Sequence, residues 1–217
     1  MVSEEPKESG VMEELMIQLK PDRWYEVVRL GVTDKRAVQE INQHKVKPLV
    51  LFEVQAKLNG TFVKPDYYAI YEHTTKTRLI AQELATLETI SSVDAAVFSV
   101  PELTSFSVRS EKYYEFFAAW VREGQQDALQ QFFVQSQPIK ETYGRPEPLI
   151  VAQLHPVSAV PQGEPYYIPT LGGLVEWNHP SDPEALLSNE AFQKLAGPLF
   201  EKAISRMEMI IGKVVTS

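Results

Sequence analysis

One histidine in this sequence stands where it could transfer a proton. His155 ends the run LIVAQLH (149–155), in which apolar and polar residues alternate as they do in a strand. An imidazole with an ordinary pKa near ~6.5 accepts and donates protons at neutral pH. We therefore predict His155 as a catalytic general base, helped by Gln153 or Glu176. The alternative is a strand-end histidine, satisfied or exposed, before Pro156.

The two faces of each predicted strand decide which side chains join His155. Because side chains alternate along a strand, Gln153 and His155 share a mixed face, and Glu53 lies on the matching face of LVLFEVQ (49–55). The opposite faces of both strands are wholly apolar, which suits burial under helices. The mixed faces are therefore predicted to point into a shared interior.

The same reasoning extends the predicted site to the remaining strands. An interior that is partly apolar and carries a few polar groups can bind an aromatic or acyl ligand, and Arg29 or Tyr114 is predicted to bind an oxyanion in it. The predicted ligand-binding residues are Arg29, Glu53, Glu72, Tyr114, Trp120, Gln153 and Glu176. For Arg29 the alternative is a buried ion pair with Glu53 or Glu72, since buried charges are normally paired.

Several kinds of site are disfavoured by what the sequence lacks. It has no cysteine, and its four histidines show neither HxH nor HxxxH spacing, so no metal site is predicted. Neither GxxxxGK[ST] nor GxGxxG occurs, so no nucleotide phosphate loop is predicted and no cofactor is expected. A haem iron needs a single axial histidine, and this alternative stays open.

The elements that must hold these residues follow a repeated order. The strand-like runs of the first half are WYEVVRLGV (24–32), PLVLFEVQAKL (48–58), DYYAIYEH (66–73) and AAVFSV (95–100). Helical patterns follow the first and third of these runs. The second half repeats the order, with Tyr25-Glu26 recurring as Tyr114-Glu115 and AIYEH (69–73) as GLVEW (173–177). We interpret the ordered matches as an internal duplication.

Each half is predicted as a ferredoxin-like βαββαβ unit, which places the chain in the α+β class. The helices of such a unit cover one sheet face and leave the other to be buried. Two units are therefore expected to pack as a pseudo-dimeric α/β barrel within one chain; the alternative is pairing with a second chain. The predicted boundaries are 1–21 for a tail and short helix, 22–100 for unit 1, 101–112 for a linker and 113–217 for unit 2.

Composition and charge narrow the set of partners. The 217 residues carry 29 acids and 21 bases, and the net charge of -8 repels phosphate backbones and anionic lipid surfaces. No nucleic-acid or membrane partner is therefore expected, whereas a small organic ligand and a homodimer of the pseudo-dimeric chain are. The acidic start MVSEEPKESG differs from a secretory signal, so a cytoplasmic location is predicted.

The second half resembles a known family. Its features are a Tyr143-Gly144 turn after a helix, Glu176-Trp177 at the end of a strand, and Asn189-Glu190-Ala191-Phe192 in a helical region. In these features residues 112–215 resemble an uncharacterised branch of the dimeric α/β-barrel superfamily. That superfamily includes cofactor-free monooxygenases, lactone isomerases, polyketide cyclases and haem-binding chlorite dismutase relatives. The resemblance therefore implies an architecture and a place for a pocket, but no single activity.

Two functions follow from these predictions. The first is a cofactor-independent enzyme that acts on a small, partly apolar organic molecule bound in the barrel. The second is a non-catalytic module that binds a metabolite or a protein. An enzyme pocket should contain convergent polar groups with space beside them, whereas a scaffold barrel should be filled.

Overall fold

Strands dominate the part of the chain that the structure describes. The computed structural model describes residues 14–59, 64–73, 80–155 and 171–216; the predicted tail at 1–10 lies outside them. The first half contains β1 (Glu14–Leu19), β2 (Trp24–Val32), α1 (Arg36–Gln43), β3 (Val50–Asn59), β4 (Tyr67–His73), α2 (Ile80–Leu84) and β5 (Ile90–Phe98). The second half contains β6 (Thr104–Arg109), β7 (Tyr113–Val121), α3 (Gln126–Lys140), β8 (Ile150–His155), β9 (Leu171–Trp177), α4 (Asp182–Leu187), α5 (Glu190–Leu195), α6 (Gly197–Ala203) and β10 (Ile204–Val214).

Eight of these strands close into an antiparallel barrel. Their order around the barrel is β10-β3-β4-β2-β5-β8-β9-β7, and β7 pairs with β10 to complete the circle. Within each half the spatial order is the same, β3-β4-β2-β5 and β8-β9-β7-β10. Four antiparallel steps separate β2 from β7, so the two strands run in the same direction and begin at the same end of the barrel. The predicted combination of a barrel with several helices is therefore confirmed.

Apolar side chains make up most of the barrel interior. Phe52 stacks on Tyr68 at 4.6 Å between ring centroids, and the Tyr68 hydroxyl donates a hydrogen bond to the Tyr114 carbonyl at 2.7 Å. The wholly apolar faces of β3 and β8 point inward, where they join the same buried cluster. The prediction that these faces lie under helices is wrong. Sealing the barrel removes its interior from water, and that interior takes the most apolar faces available.

The helices cover only part of the outer barrel surface. In the first half, α1 and α2 pack on Val28, Leu30, Ala69 and Tyr71, which belong to the central strands β2 and β4. In the second half, α3 to α6 pack on the outer faces of β7, β9 and β10. Most of the outer surface of β3 and β8 remains uncovered, so its polar residues are solvated. Among the described residues, no helix is long and apolar enough to cross a membrane.

A two-stranded sheet of β1 and β6 packs against one end of the barrel. Its buried residues Ile17 and Phe106, which pair across the two strands, join the barrel core. β1 lies within 1–21, where a tail and a short helix were predicted, and β6 lies within the predicted 101–112 linker. Because β1 alternates buried and exposed residues near its C-terminal end, the apolar residues that suggested a helix serve a strand face instead.

Candidate functional site

An apolar cavity lies outside the barrel, beneath the helices of the second half. It has a volume of ≈160 Å³ and is bounded by the outer faces of β7, β9 and β10 and by helices α3 to α6. Its walls include the aromatic side chains of Phe117, Phe132, Phe133, Trp177, Phe192 and Phe200. An engineered protein cavity of about 150 Å³ holds benzene, so this space suits a ligand with roughly one aromatic ring.

Two charged side chains face this apolar space, Glu115 and Lys140. Glu115 lies on β7 and is 4% exposed, and Lys140 ends α3 and is 8% exposed. The indole Nε1 of Trp177 donates a hydrogen bond to Glu115 Oε2 at 2.9 Å. Lys140 Nζ lies 5.7 Å from the centroid of the Trp177 ring. The three residues therefore form one polar cluster in an otherwise apolar wall.

Burial changes the proton affinity of both charged groups. It raises the pKa of the Glu115 carboxyl to about 7, although the positive charge of Lys140 and the hydrogen bond from Trp177 act in the opposite direction. Burial also lowers the pKa of Lys140, against the effect of the Glu115 charge. Each shift favours the neutral form of its group, as expected for ionisable groups in an apolar surrounding. A carboxyl with a pKa near neutral pH is suited to proton transfer.

The equivalent carboxylate of the first half has a different role. Glu26 is also fully buried, but its two oxygens accept backbone N–H groups of Ile80 at 2.9 Å and Ala81 at 2.8 Å. These residues begin α2, so Glu26 holds that helix against the sheet. His73 Nε2 lies 3.9 Å from Glu26 Oε2, at the position that the sequence repeat assigns to Trp177.

Arg29 lies inside the barrel, as predicted, but its partners differ from those expected. Its guanidinium bonds Asp94 of β5 and, at 3.0 Å, Glu208 of β10, which also accepts a bond from Arg206 at 2.7 Å. Arg29 therefore forms ion pairs in the barrel, but the predicted partners Glu53 and Glu72 were wrong, since Asp94 and Glu208 take their place. The network joins strands of the two halves across the interior.

Two predicted interior residues lie on the outer surface. Glu53 and Gln153 are exposed, because their strands direct the opposite faces inward. Their placement in the barrel was wrong for the same reason as the face assignment of β3 and β8.

Glu72, Glu176 and Tyr114 lie at the barrel end that β1 and β6 cover, but in two separate sets of contacts. Glu176 accepts hydrogen bonds from the Arg109 guanidinium at 3.1 Å and from the Tyr114 hydroxyl at 3.3 Å. Glu72, which is partly exposed, pairs with Arg23 at 3.6 Å. Burial raises the pKa of Tyr114, and the nearby Glu176 charge adds to that rise.

The two remaining predicted residues lie apart from this group. His155 lies on the same outward face of β8 as Gln153, so its predicted placement in the barrel was wrong too. It is half-buried and packs edge-on against Trp24, with ring centroids 5.2 Å apart. Of its two predicted helpers, Gln153 lies on the outer surface, and Glu176 belongs to the network with Arg109. Trp120 packs under the Arg206 guanidinium at 4.5 Å, and its buried Nε1 has no hydrogen-bond acceptor among the described residues.

Glu115 belongs to the repeated Tyr-Glu pair and Trp177 to the Glu176-Trp177 pair, but no pattern in the sequence connects Glu115 with Trp177. A signal was present, because Glu115 interrupts the apolar run YYEFFAAW on the face that also holds Phe117 and Ala119. A carboxylate on a helix-covered face needs a hydrogen-bond or ion-pair partner, or it has a functional role. Within the described ranges, no group of three or more His, Asp or Glu side chains could hold a metal ion.

The architecture has relatives among solved structures. An anthrone oxidase-like protein matches with a TM-score of 0.58 and 9% identity, over 93% of this chain and 94% of that protein. A presumed chlorite dismutase matches with a TM-score of 0.51 and 8% identity, over 89% and 95%. A presumed monooxygenase from Fusobacterium nucleatum subsp. nucleatum matches with a TM-score of 0.50 and 8% identity, over 89% and 93%.

The chain therefore shares its fold, an antiparallel barrel with helices on its outer surface, with these three structures. At 8% and 9% identity, these likenesses show the fold of the barrel and not its chemistry. No known family profile matches the sequence of this barrel protein. No curated protein matches its sequence either.

Proposed function

We propose that this protein is a cofactor-independent enzyme that removes a proton from a small, partly apolar organic molecule. The substrate binds in the cavity beneath α3 to α6, and Glu115 is the general base. The observation that carries the proposal is a buried carboxyl with a pKa of about 7 in the wall of an apolar cavity of ≈160 Å³. The fold it shares with an anthrone oxidase-like protein and a presumed monooxygenase is compatible with such an enzyme.

The charges of the cluster favour transfer of a proton from a neutral substrate. Before the transfer, ionised Glu115 and protonated Lys140 together carry no net charge. Afterwards, Glu115 is neutral and Lys140 faces the new substrate anion, so the cavity still carries no net charge. Because a net charge in an apolar space costs several kcal/mol, roughly as for buried unpaired ions, this balance lowers the cost of forming the anion. Lys140 thus acts as the electrostatic stabiliser of the product.

The two halves contribute unequally to this function. We propose that they arose by duplication of a ferredoxin-like unit, an origin supported by the shared strand order and the repeated Tyr-Glu pair. Only the second half combines that glutamate with an apolar cavity among the described residues. The barrel itself, with the Arg29 network inside it, serves in this proposal as a scaffold that joins the halves.

The proposal is tested by hydrogen–deuterium exchange. Small cyclic and aromatic ketones with acidic C–H groups are incubated with the protein in D₂O, and loss of the C–H signal is followed by NMR. Glu115→Gln keeps the shape of the side chain and an oxygen for the Trp177 indole but cannot act as the base. We expect it to slow exchange by ~10²-fold or more, the usual loss for a general base.

Two control variants separate this site from the barrel site. Glu53→Gln alters an exposed carboxylate that does not line the cavity and should leave exchange unchanged. His155→Ala tests the base predicted from the sequence and should also leave exchange unchanged. Equal exchange rates in wild type and Glu115→Gln would refute Glu115 as the base. A loss of exchange in His155→Ala would instead indicate a site near His155 on β8. Binding of the ketones without any exchange would favour a non-catalytic binding module.

A further inference from the structure

We propose that Lys140 is a nucleophile that forms a Schiff base with small aromatic aldehydes or ketones in the cavity beneath α3 to α6. The inference uses the cavity of the proposed function but assigns it a second, covalent chemistry. Lys140 lies in the cavity wall, 8% exposed, with Glu115 in the same wall and the Trp177 ring 5.7 Å from its Nζ. The amine is thus placed among aromatic side chains that can bind a ring.

A nucleophilic lysine must be uncharged, and this cluster provides a route to that state. A proton can move from Lys140 to Glu115 without changing the net charge of the cavity. Burial favours the result, because it lowers the pKa of Lys140 and raises the pKa of Glu115 to about 7. In this second protonation state of the pair, a neutral amine lies beside a protonated carboxyl, the combination that carbonyl condensation needs, whereas the ionised state supplies the base of the proposed function.

The reaction balances without an oxidant, a reductant or a metal. The lone pair of Lys140 Nζ attacks the carbonyl carbon, and the C=O π electrons move to oxygen, which takes the proton of Glu115. The resulting carbinolamine loses its hydroxyl as water after proton transfer from the nitrogen side, and a C=N bond forms. The net change is one amine plus one carbonyl giving one imine plus one water, and Glu115 carries the protons between nitrogen and oxygen.

The position of Lys140 also gives the reaction a selectivity that an ordinary lysine lacks. Lys194, by contrast, has a side chain that is 76% exposed and pairs with Glu190, and it has no apolar wall beside it to bind a ring. The cavity volume of ≈160 Å³ limits the carbonyl compound to about one ring, since an engineered cavity of about 150 Å³ holds benzene. Benzaldehyde should therefore react faster than an aldehyde with three fused rings.

The test traps the imine on the wild-type protein. The full chain is incubated with benzaldehyde and sodium cyanoborohydride near pH 7, and peptide mass mapping measures the benzyl group on each lysine over time. We expect Lys140 to be labelled at least ~10-fold faster than Lys194, as for a lysine activated by burial. Labelling of Lys140 no faster than that of Lys194 would overturn the inference, and this comparison needs no variant.

Two variants identify the cause of fast labelling. Lys140→Met retains the length of the side chain without its amine and should remove the fast-labelled site, while circular dichroism checks that the protein is folded. Glu115→Gln should slow labelling of Lys140, because the proton carrier is lost. The two proposals can fail separately. Fast labelling of Lys140 without hydrogen–deuterium exchange supports the nucleophile and refutes Glu115 as the base. Exchange without fast labelling of Lys140 supports the base and refutes the nucleophile.

Discussion

The Arg29 network is the feature whose removal should cost the protein most stability. Arg29 is 9% exposed and binds two carboxylates inside the barrel. Glu208 has a side chain only 6% exposed, so loss of Arg29 would leave its charge in an apolar surrounding. Removing one member of a buried ion pair costs about 3–5 kcal/mol. Because Arg206, 42% exposed, still contacts Glu208, we expect the lower end, about 3 kcal/mol, for Arg29→Met.

Urea unfolding followed by circular dichroism measures this loss, and the melting temperature should fall by about 6–12 °C for a chain of this size. The matched control is Arg36→Met, which removes an arginine 74% exposed from its pair with Asp34 and should change stability by less than about 0.5 kcal/mol. Adding Glu208→Gln to Arg29→Met should restore part of the loss, since it removes the stranded charge. Equal stability of the two arginine variants, or no recovery in the double variant, would refute the reasoning.

Two further predictions concern the cavity and the sheet beside it. Folding raises the Glu115 pKa from 4.5 to about 7, so its proton stabilises the fold fully below pH ~4.5, and that stabilisation is lost as pH rises through about 7. In urea unfolding, the free energy of unfolding of the wild type should therefore fall by up to about 3 kcal/mol relative to that of Glu115→Gln between pH 4.5 and 8. Parallel plots of the two free energies against pH would contradict this. Gly173→Ala would place its Cβ 2.4 Å from the Phe117 ring and should cost about 1–3 kcal/mol, whereas Gly197→Ala, with its nearest atom at 3.7 Å, should be neutral in the same assay.

The sequence could predict the order of elements and the faces of the first strands, because their periodicity is strong. Val28 and Leu30, on the strand face opposite the predicted interior residue Arg29, pack under helices. Phe117 and Ala119, on the face opposite the predicted interior residue Tyr114, do the same. The faces of β3 and β8 could not be predicted in this way. A face that alternates apolar residues suits either a helix-covered layer or a barrel core, and strand order decides between them. That order depends on contacts between residues distant in sequence.

The site depends on the same long-range arrangement. Glu115 and Trp177 are 62 residues apart in sequence and meet because β7 and β9 pair with Tyr113 opposite Trp177. Lys140 joins them from the last residue of α3. None of these residue types indicates a site by itself. The sequence repeat draws attention to positions that carry the same residue in both halves. A residue whose partner differs between the halves was therefore harder to recognise than one that repeats.

The different environments of the two repeated glutamates explain why one chain should contain one site of this kind. Glu26 lies beneath the start of α2, and both of its oxygens accept backbone N–H groups, so a proton on either oxygen would break a hydrogen bond. In the second half, α4 begins Asp182-Pro183; the proline has no N–H, and Asp182 accepts the N–H of His179. The Glu115 carboxylate is held instead by the Trp177 indole and faces a cavity. Burial raises the pKa of Glu26 as well, but the two helix donors act against that rise. Glu115 has a single side-chain donor and faces a cavity, so we expect Glu115 to be the glutamate that exchanges a proton with a ligand.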